Sequence, residues 1–474
     1  MTQQALIELA RRIQKEKCEH QNIEVKSALG GTPKRLYDSL SSFSNQEGGG
    51  IIIFGISEEE GFAIVGIHNV QKLQDQVAEQ CKQMEPEIRP VFTACEIDGK
   101  MVVSLEIPEI NVHDKPCFYK GTGRLKGSYV RVGGQDIQMT EYEVYSYEAF
   151  KQQIYDDLKI VERANIADFD PIVLSNFIMK LQTEKPKLVN LEKNEILKLQ
   201  GIAIDSKPTV AGIMIFGKYP QGFFPQLAIT AIVVKSLEAF DFDSGERFID
   251  NQRIEGTIPE MLNTAIAFVR RNMKVATVID GKTAKRTDKE EFPLIAVREI
   301  ILNALVHRDY SSYTNSSPIR LVIYPNRIEV ENPGGLYGRL TVDRLGKAAG
   351  DTRNTFIANI LEISIDNENR FSGIPTIRKT MKDNGLPEPK FESARGVFRA
   401  TLYNASHIQK EQISDAAILD FCKTPRMRNE ISSHFGITSI SYLVKNYLIP
   451  LADKGLLKLT LPNTPKSKNQ KYYS

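Results

Sequence analysis

Hydrophobic positions change their spacing several times along the chain, and each change marks a new element. Within residues 1–145, short apolar runs at 51–54, 102–107 and 128–132 read as strands, and helix-period stretches at 35–44 and 70–84 lie between them. That alternation predicts an α/β or α+β unit. Residues 146–204 read as polar helical stretches with no strong strand signal, an expected connector. The runs 209–216 and 227–234 are expected as strands, with a Pro-Gln-Gly turn after the first. Amphipathic patterns at 257–273 and 292–305 predict helices. The runs 319–324 and 327–331, joined by Pro325-Asn326, predict a hairpin. From about 411 the pattern is short, helical and basic at its end. The expected boundaries are 1–145, 146–204, 205–408 and 409–474.

Composition changes this picture little. A chain of 474 residues with 41% hydrophobic and 25% charged residues can bury several cores without staples. Its net charge of +2 means that any surface for a polyanion must be local. The five cysteines are scattered and form no CxxC pair, which argues against a zinc ribbon or a disulfide framework and for a reducing compartment. The N-terminal residues lack a signal-peptide core, and no run approaches the roughly 20 apolar residues that span a bilayer. A cytoplasmic protein with no membrane partner is expected.

Candidate chemistry begins at Glu299, Asn303 and His307, four apart and so on one face of a helix. A polar stripe facing water is the plain reading of that spacing. Two glycine turns follow: Asn332-Pro-Gly334-Gly335 at the end of a strand, and Ser372-Gly373-Ile374 at the start of a helix. Such turns let backbone N–H groups approach a phosphate, and a helix N-terminus adds partial positive charge.

The segments 208–221, 298–310, 326–336, 351–361, 372–391 and 397–403 resemble, in order, the RecG-C-terminal-type, GHKL-related ATP-binding domain, an α/β sandwich of the Bergerat type. The resemblance implies ATP with Mg, Glu299 as general base and Asn303 as the magnesium ligand. It also implies that His307, Arg308, Asp309, Asn332, Gly334, Gly335, Arg353, Asn354, Ser372, Gly373 and Ile374 line the nucleotide site. Asn332 stands where these proteins carry an adenine-reading Asp, and the second loop has one glycine where two or three are usual. No GxxxxGK[ST] loop occurs, so a helicase motor is unsupported.

In the N-terminal region, Glu19, Glu24 and Lys26 lie on or near one strand, ahead of the turn 45–50 with its three glycines. A solvated strand with ion pairs explains the charges equally well. The order Ex₄EVK, SSFSNQEGGGIIIFGI, YVRVG resembles the Schlafen AlbA-like domain, a nucleic-acid-binding α/β fold, over about 20–140. In eukaryotic Schlafens three carboxylates support RNA cleavage. Glu19 and Glu24 keep the spacing, and Glu58 is the expected third, so Mg or Mn on Glu19 and Glu24 is the implied metal site. Lys115, Lys120, Arg124, Lys126 and Arg131, interleaved with Phe118, Tyr119 and Tyr129, are candidates for phosphate contact and base stacking, with a solvated basic loop as the alternative. Lys26 joins that nucleic-acid set.

The last region reads as a winged helix-turn-helix: helices at 416–422, 428–435 and 440–454, then a strand at 455–461 and a basic wing at 465–473. Lys445, Lys466 and Lys468 are its candidate backbone contacts, and dimerisation or protein contact is the alternative role. The combined expectation is an α+β multidomain, nucleic-acid-binding, ATP-binding protein, a DNA-binding transcriptional regulator that forms a homodimer or higher oligomer. The enzyme readings left open are a weak ATPase and a metal-dependent endoribonuclease acting on structured RNA such as tRNA in phage defence.

Overall fold

The computed structural model describes residues 1–237, 248–279, 286–347, 350–365, 373–406, 415–435, 437, 440–462, 467 and 470–474. The chain divides into two compact units, Met1–Lys159 with Gly335–Thr355, and Ile160–Gly334 with Phe356–Ser474.

The first unit is built on a four-stranded sheet with the order Ile23–Lys26, Gly50–Phe54, Lys100–Ile107, Val91–Ile97. The first pair is parallel and the others antiparallel. Its central strand Gly50–Phe54 is apolar on both faces because both faces of the sheet are covered. Leu6, Ala10 and Ile13 of the helix Gln3–Glu16 pack with Val25, Ile53 and Val102 on one side. Leu40 and Phe43 of the helix Tyr37–Asn45, with Leu73 and Val77 of the helix Val70–Lys82, pack with Ile52, Phe54 and Leu105 on the other. Where the turn after Tyr37–Asn45 enters Gly50–Phe54, Gly49 and Gly50 leave no room for a side chain. Gly49 has φ +71°, and a Cβ there would lie 2.2 Å from the Ile107 carbonyl oxygen; one on Gly50 would lie 2.1 Å from the Phe43 ring. A hairpin, Tyr129–Val132 and Gln135–Gln138, turns on Gly133-Gly134 and sets Arg131 directly opposite Asp136. The helix Glu141–Gln152 follows, started by a reciprocal Thr140–Glu143 capping box.

The second unit contains a six-stranded sheet in the order Asp250–Ile254, Ile229–Val233, Ile319–Tyr324, Arg327–Pro333, Val397–Tyr403, Lys390–Ala394. Only the Ile229–Val233 and Ile319–Tyr324 pair is parallel. The helix Leu294–His307 packs on the strand Arg327–Pro333 and between the helices Ile258–Asn272 and Gly373–Asp383. Ile258–Asn272 starts in a Thr257–Glu260 capping box.

One expected strand is a helix. The run 209–216 folds as the helix Val210–Phe216, with every residue buried. An apolar run buried on all sides carries no period that separates strand from helix. Local chemistry decides: Thr209 Oγ1 accepts from the Gly212 N–H and donates to the Gly201 carbonyl, and Gly212 lies so close to the Ile202 carbonyl oxygen that a Cβ would meet it at 2.1 Å.

At the C-terminal end of this unit, the helices Asp415–Phe421, Arg428–His434 and Ile440–Leu443 enclose a core of Ile418, Cys422, Ile431, Ile437, Leu443, Leu448, Leu451, Leu457 and Tyr472. A three-stranded antiparallel sheet, ordered Arg426–Met427, Lys471–Tyr473, Lys458–Leu459, lies with them. The helix expected over 440–454 is not uniform: Val444–Leu448 is π-helical before Ile449–Asp453. Pro450 has no N–H to give to residue 446, and the widened turn accommodates it.

Candidate nucleotide and nucleic-acid sites

In the second unit, Ile300, Ile301 and Leu305 anchor the helix Leu294–His307, which leaves Glu299 and Asn303 on a face turned toward the first residue of Gly373–Asp383. A Cβ on Gly373 would stand 3.3 Å from Asn303 Nδ2, 3.4 Å from Asn303 Oδ1 and 3.7 Å from Glu299 Oε2. A carboxylate, an amide and a helix N-terminus thus meet within one turn of each other, and the helix end offers N–H groups to an anion. Glu299 is mostly buried, and burial holds its carboxyl above the usual range, partly offset by Arg298, whose Nη1 lies 3.3 Å from Glu299 Oε1.

Asn332 is the last residue but one of the neighbouring strand Arg327–Pro333. It is 3% exposed, and its Oδ1 is buried with no hydrogen-bond partner among the described residues. Gly334 follows with φ +108°, and a Cβ there would lie 2.9 Å from both the Asp309 backbone nitrogen and Asp309 Cβ. The two segments are stitched together by the Asp309 N–H, which donates to the Pro333 carbonyl at 2.8 Å. Ile374 is half-buried in the first turn of its helix, and His307 is exposed at the end of its own.

Two residues expected on the nucleotide take a different role. Arg308 is 2% exposed and donates to the carbonyls of Asp309, Thr314 and Ser317, with Tyr310 under its guanidinium. Asp309 is fully buried, and its Oδ1 accepts from the Ser311 N–H. Both brace the turn after the helix, Arg308 by giving donors to buried loop carbonyls and Asp309 by accepting a buried backbone N–H. Gly335, Arg353 and Asn354 fall in the first unit, where Arg353 Nη2 approaches the Gly335 carbonyl at 3.5 Å and its guanidinium lies over Tyr337. Ser372, Lys466 and Lys468 lie outside the described residues.

In the first unit, a buried charge network occupies the end of the strand Ile23–Lys26. Glu24 is held between Lys26 Nζ at 2.6 Å and Arg131 Nη1 at 3.2 Å. Glu19 accepts from the Val25 N–H and lies 3.8 Å from Arg131 Nη2. Asp136 stands 2.8 Å from Arg131 Nη1 and also accepts from the Ser39 and Ser42 hydroxyls. The Arg131 side chain is 1% exposed and lies over the Phe43 ring. Glu19 is pushed up by burial first, then by the charges of Glu24 and Glu58, against the Val25 N–H and Arg131, which lower it. Glu19 is therefore close enough to Glu24 and to exposed Glu58 to feel the charge of each.

The basic stretch is only partly available to a ligand. Arg131, expected to meet a phosphate, is sequestered by carboxylates. Lys115 is buried against Glu109 at 2.7 Å, Arg124 pairs with Glu148 and covers Phe118, and Tyr119 is stacked on Tyr37 at 3.8 Å. Lys26 is half-buried on Glu24, while Lys120, Lys126 and Lys445 are exposed, Lys120 reaching the Lys82 carbonyl. Asp136 was missed from the sequence. Its signal was present: opposite charges flanking a Gly-Gly turn at matching distance form a cross-strand pair.

These units define a multidomain α+β protein with a carboxylate–amide–helix site in one unit and a carboxylate network in the other. Family comparisons match four segments of the chain and do not include residues 231–315, where the helix Leu294–His307 lies. Residues 19–140 match the family "Schlafen, AlbA_2", and residues 316–402 match "Putative ATP-dependent DNA helicase recG C-terminal". Residues 416–473 match "Filamentation induced by cAMP protein Fic-like, C-terminal domain", and residues 147–230 match a domain of unknown function, DUF8451. No curated protein matches the chain. Among solved structures, the DIP2311 protein of Corynebacterium diphtheriae is similar at 18% identity and TM-score 0.41, over 91% of this chain and 90% of that one. The N-terminal domain of a RecG-related protein of Nitrosomonas europaea is similar at 25% identity and TM-score 0.23, over 28% of this chain and 92% of that one. Among the described residues, no helix is long and apolar enough to cross a membrane.

Proposed function

We propose that the chain binds nucleic acid and, in its second unit, a nucleotide with magnesium, acting as a DNA-binding regulator that senses the nucleotide. The observation that carries this reading is Asn332 Oδ1, a buried acceptor without a partner among the described residues. Leaving such an atom unmet costs about 1–3 kcal/mol, so a ligand donor that meets it gains affinity. The exocyclic amine of adenine is a donor of that kind. Glu299, Asn303 and Gly373 fit the other end of the ligand: the helix starting at Gly373 would receive phosphate, and the Asn303 amide oxygen would hold the metal. Magnesium, when bound, neutralises phosphate charge. Glu299, its affinity for a proton raised by burial, suits a general base.

The nucleic-acid half rests on the AlbA_2 match, on exposed Lys120 and Lys126, and on reading the C-terminal helices and small sheet as a winged helix carrying Lys445. Thermal shift tests the nucleotide site. Mg-ATP raises the melting temperature of the wild type and fails to do so for Asn303→Ala; no shift with any Mg-nucleotide in the wild type rejects it.

A second reading, a metal-dependent endoribonuclease acting in phage defence, is favoured by Glu19, which lies near enough to Glu24 and Glu58 to feel both charges. The residues as they stand do not fit a metal, because Arg131 and Lys26 already neutralise Glu24 and Asp136. Incubation with tRNA or DNA and Mg²⁺ or Mn²⁺ separates the readings. Cleavage lost in Glu24→Ala supports the nuclease; a salt-sensitive mobility shift without cleavage supports the regulator.

A further inference from the structure

A cluster of mixed donors stands at the end of the first helix, on residues that flank Glu19. Glu16 closes the helix Gln3–Glu16, and Lys17 follows in the left-handed conformation at φ 52°. That reversal folds the next residues back along the helix end. A carboxylate oxygen of Glu16, Cys18 Sγ and a ring nitrogen of His20 come within 4.8 Å of one another. His20 Nε2 already lies 2.8 Å from Glu16 Oε2. The side chains of His20 and Glu16 are 44% and 40% exposed, so their pairing contributes little to the fold. Cys18 is exposed, whereas Cys81, Cys95, Cys117 and Cys422 are buried.

We propose that Glu16, Cys18 and His20 bind one divalent transition-metal ion, Zn²⁺ foremost, with the fourth position left to water. Thiolate, imidazole and carboxylate are the donors zinc accepts, at about 2.0–2.3 Å each, and a thiolate selects against Mg²⁺ and Ca²⁺. Three exposed side chains whose donor atoms are already this close need only small rotamer changes to meet on one ion. Binding takes the thiolate form, so the Cys18 proton is released to solvent as the metal–sulfur bond forms.

The site has a consequence for the acid network. Glu19 lies between two of the ligands, and its own carboxylate points elsewhere, accepting from the Val25 N–H. An ion gripping Cys18 and His20 fixes the backbone that presents Glu19.

Cobalt(II) titration of the full chain tests this. The wild type develops a thiolate-to-cobalt charge-transfer absorption that saturates at one equivalent and is displaced by Zn²⁺. Cys18→Ser abolishes the absorption, and His20→Gln loses stoichiometric binding. In the wild type, Zn²⁺ also protects Cys18 from alkylation, and the four buried thiols stay unreactive in every variant, which reports that each is folded. Absence of the band in the wild type, its survival in Cys18→Ser, or alkylation of Cys18 unaffected by Zn²⁺ overturns the proposal.

Discussion

At the scale of single residues, Arg131 shows how burial changes what a charge is for. In the sequence it belongs to a basic stretch; in the fold it neutralises Glu24 and Asp136 at 3.2 and 2.8 Å and stands near Glu19. Removing one partner of a buried ion pair costs about 3–5 kcal/mol, because uncompensated charge stays behind. Arg131→Met is therefore expected to destabilise the first unit by that order in urea denaturation. The same variant leaves carboxylates without their cation, so Mn²⁺ should raise its melting temperature more than that of the wild type. An equal Mn²⁺ response in both proteins would show that Arg131 does not guard the cluster. Glu299 gives the opposite case. Its folded-state pKa lies above the ordinary 4.5 because burial penalises the charge. The stabilising contribution of its proton is full below the unfolded value and is lost as pH rises through the folded one. Glu299→Gln keeps the shape and removes that loss. The variant should match the wild type near pH 4 and melt higher at neutral pH, as scans across that range would read.

At the scale of elements, close backbone approach separates binding from stability. Gly373 has no positive φ, and alanine is the better helix former by about 1 kcal/mol. Its Cβ would nevertheless press on Asn303 at 3.3 Å and stand 3.7 Å from Glu299. Gly373→Ala should keep the melting temperature within a few degrees and lose most of the Mg-ATP shift; an unchanged shift would remove this helix end from the site. The elements also show what was legible. Helices with capping boxes, such as Ile258–Asn272, and the hairpin of Ile319–Tyr324 with Arg327–Pro333 follow from period and turn chemistry. The Glu299–Asn303 face was legible for the same reason, since helical spacing alone puts residues four apart together. The helix Val210–Phe216 was not, because total burial erases the period and its cap acts through the distant Gly201 and Ile202 carbonyls. The roles of Arg308 and Arg131 were hidden too. Whether a cation faces solvent or braces buried carbonyls and carboxylates depends on chain segments brought together only by folding.

At the scale of the whole molecule, the question is whether the nucleotide and nucleic-acid readings are separable, and the C-terminal segment allows it to be asked. Its hydrophobic core is drawn wholly from residues 418–472. A chain ending before residue 415 should therefore keep the Mg-ATP thermal shift of the second unit. If Lys445 and its neighbours meet phosphates, the shortened chain binds DNA more weakly, and the slope of log affinity against log salt becomes shallower by about 0.9 for each phosphate no longer neutralised. The AlbA_2-like unit, with exposed Lys120 and Lys126, would carry the remaining slope. An unchanged affinity and slope would assign the C-terminal segment to protein contacts instead, and sedimentation of the two chains would then differ in oligomeric state. Coupling adds a stricter requirement. A nucleotide sensor must bind DNA with different affinity when ATP is bound, and DNA must shift ATP affinity by the same factor. Measuring both legs of that cycle in the full and shortened chains locates the coupling: a factor that survives truncation lies between the nucleotide site and the N-terminal unit, and one that vanishes runs through the C-terminal helices.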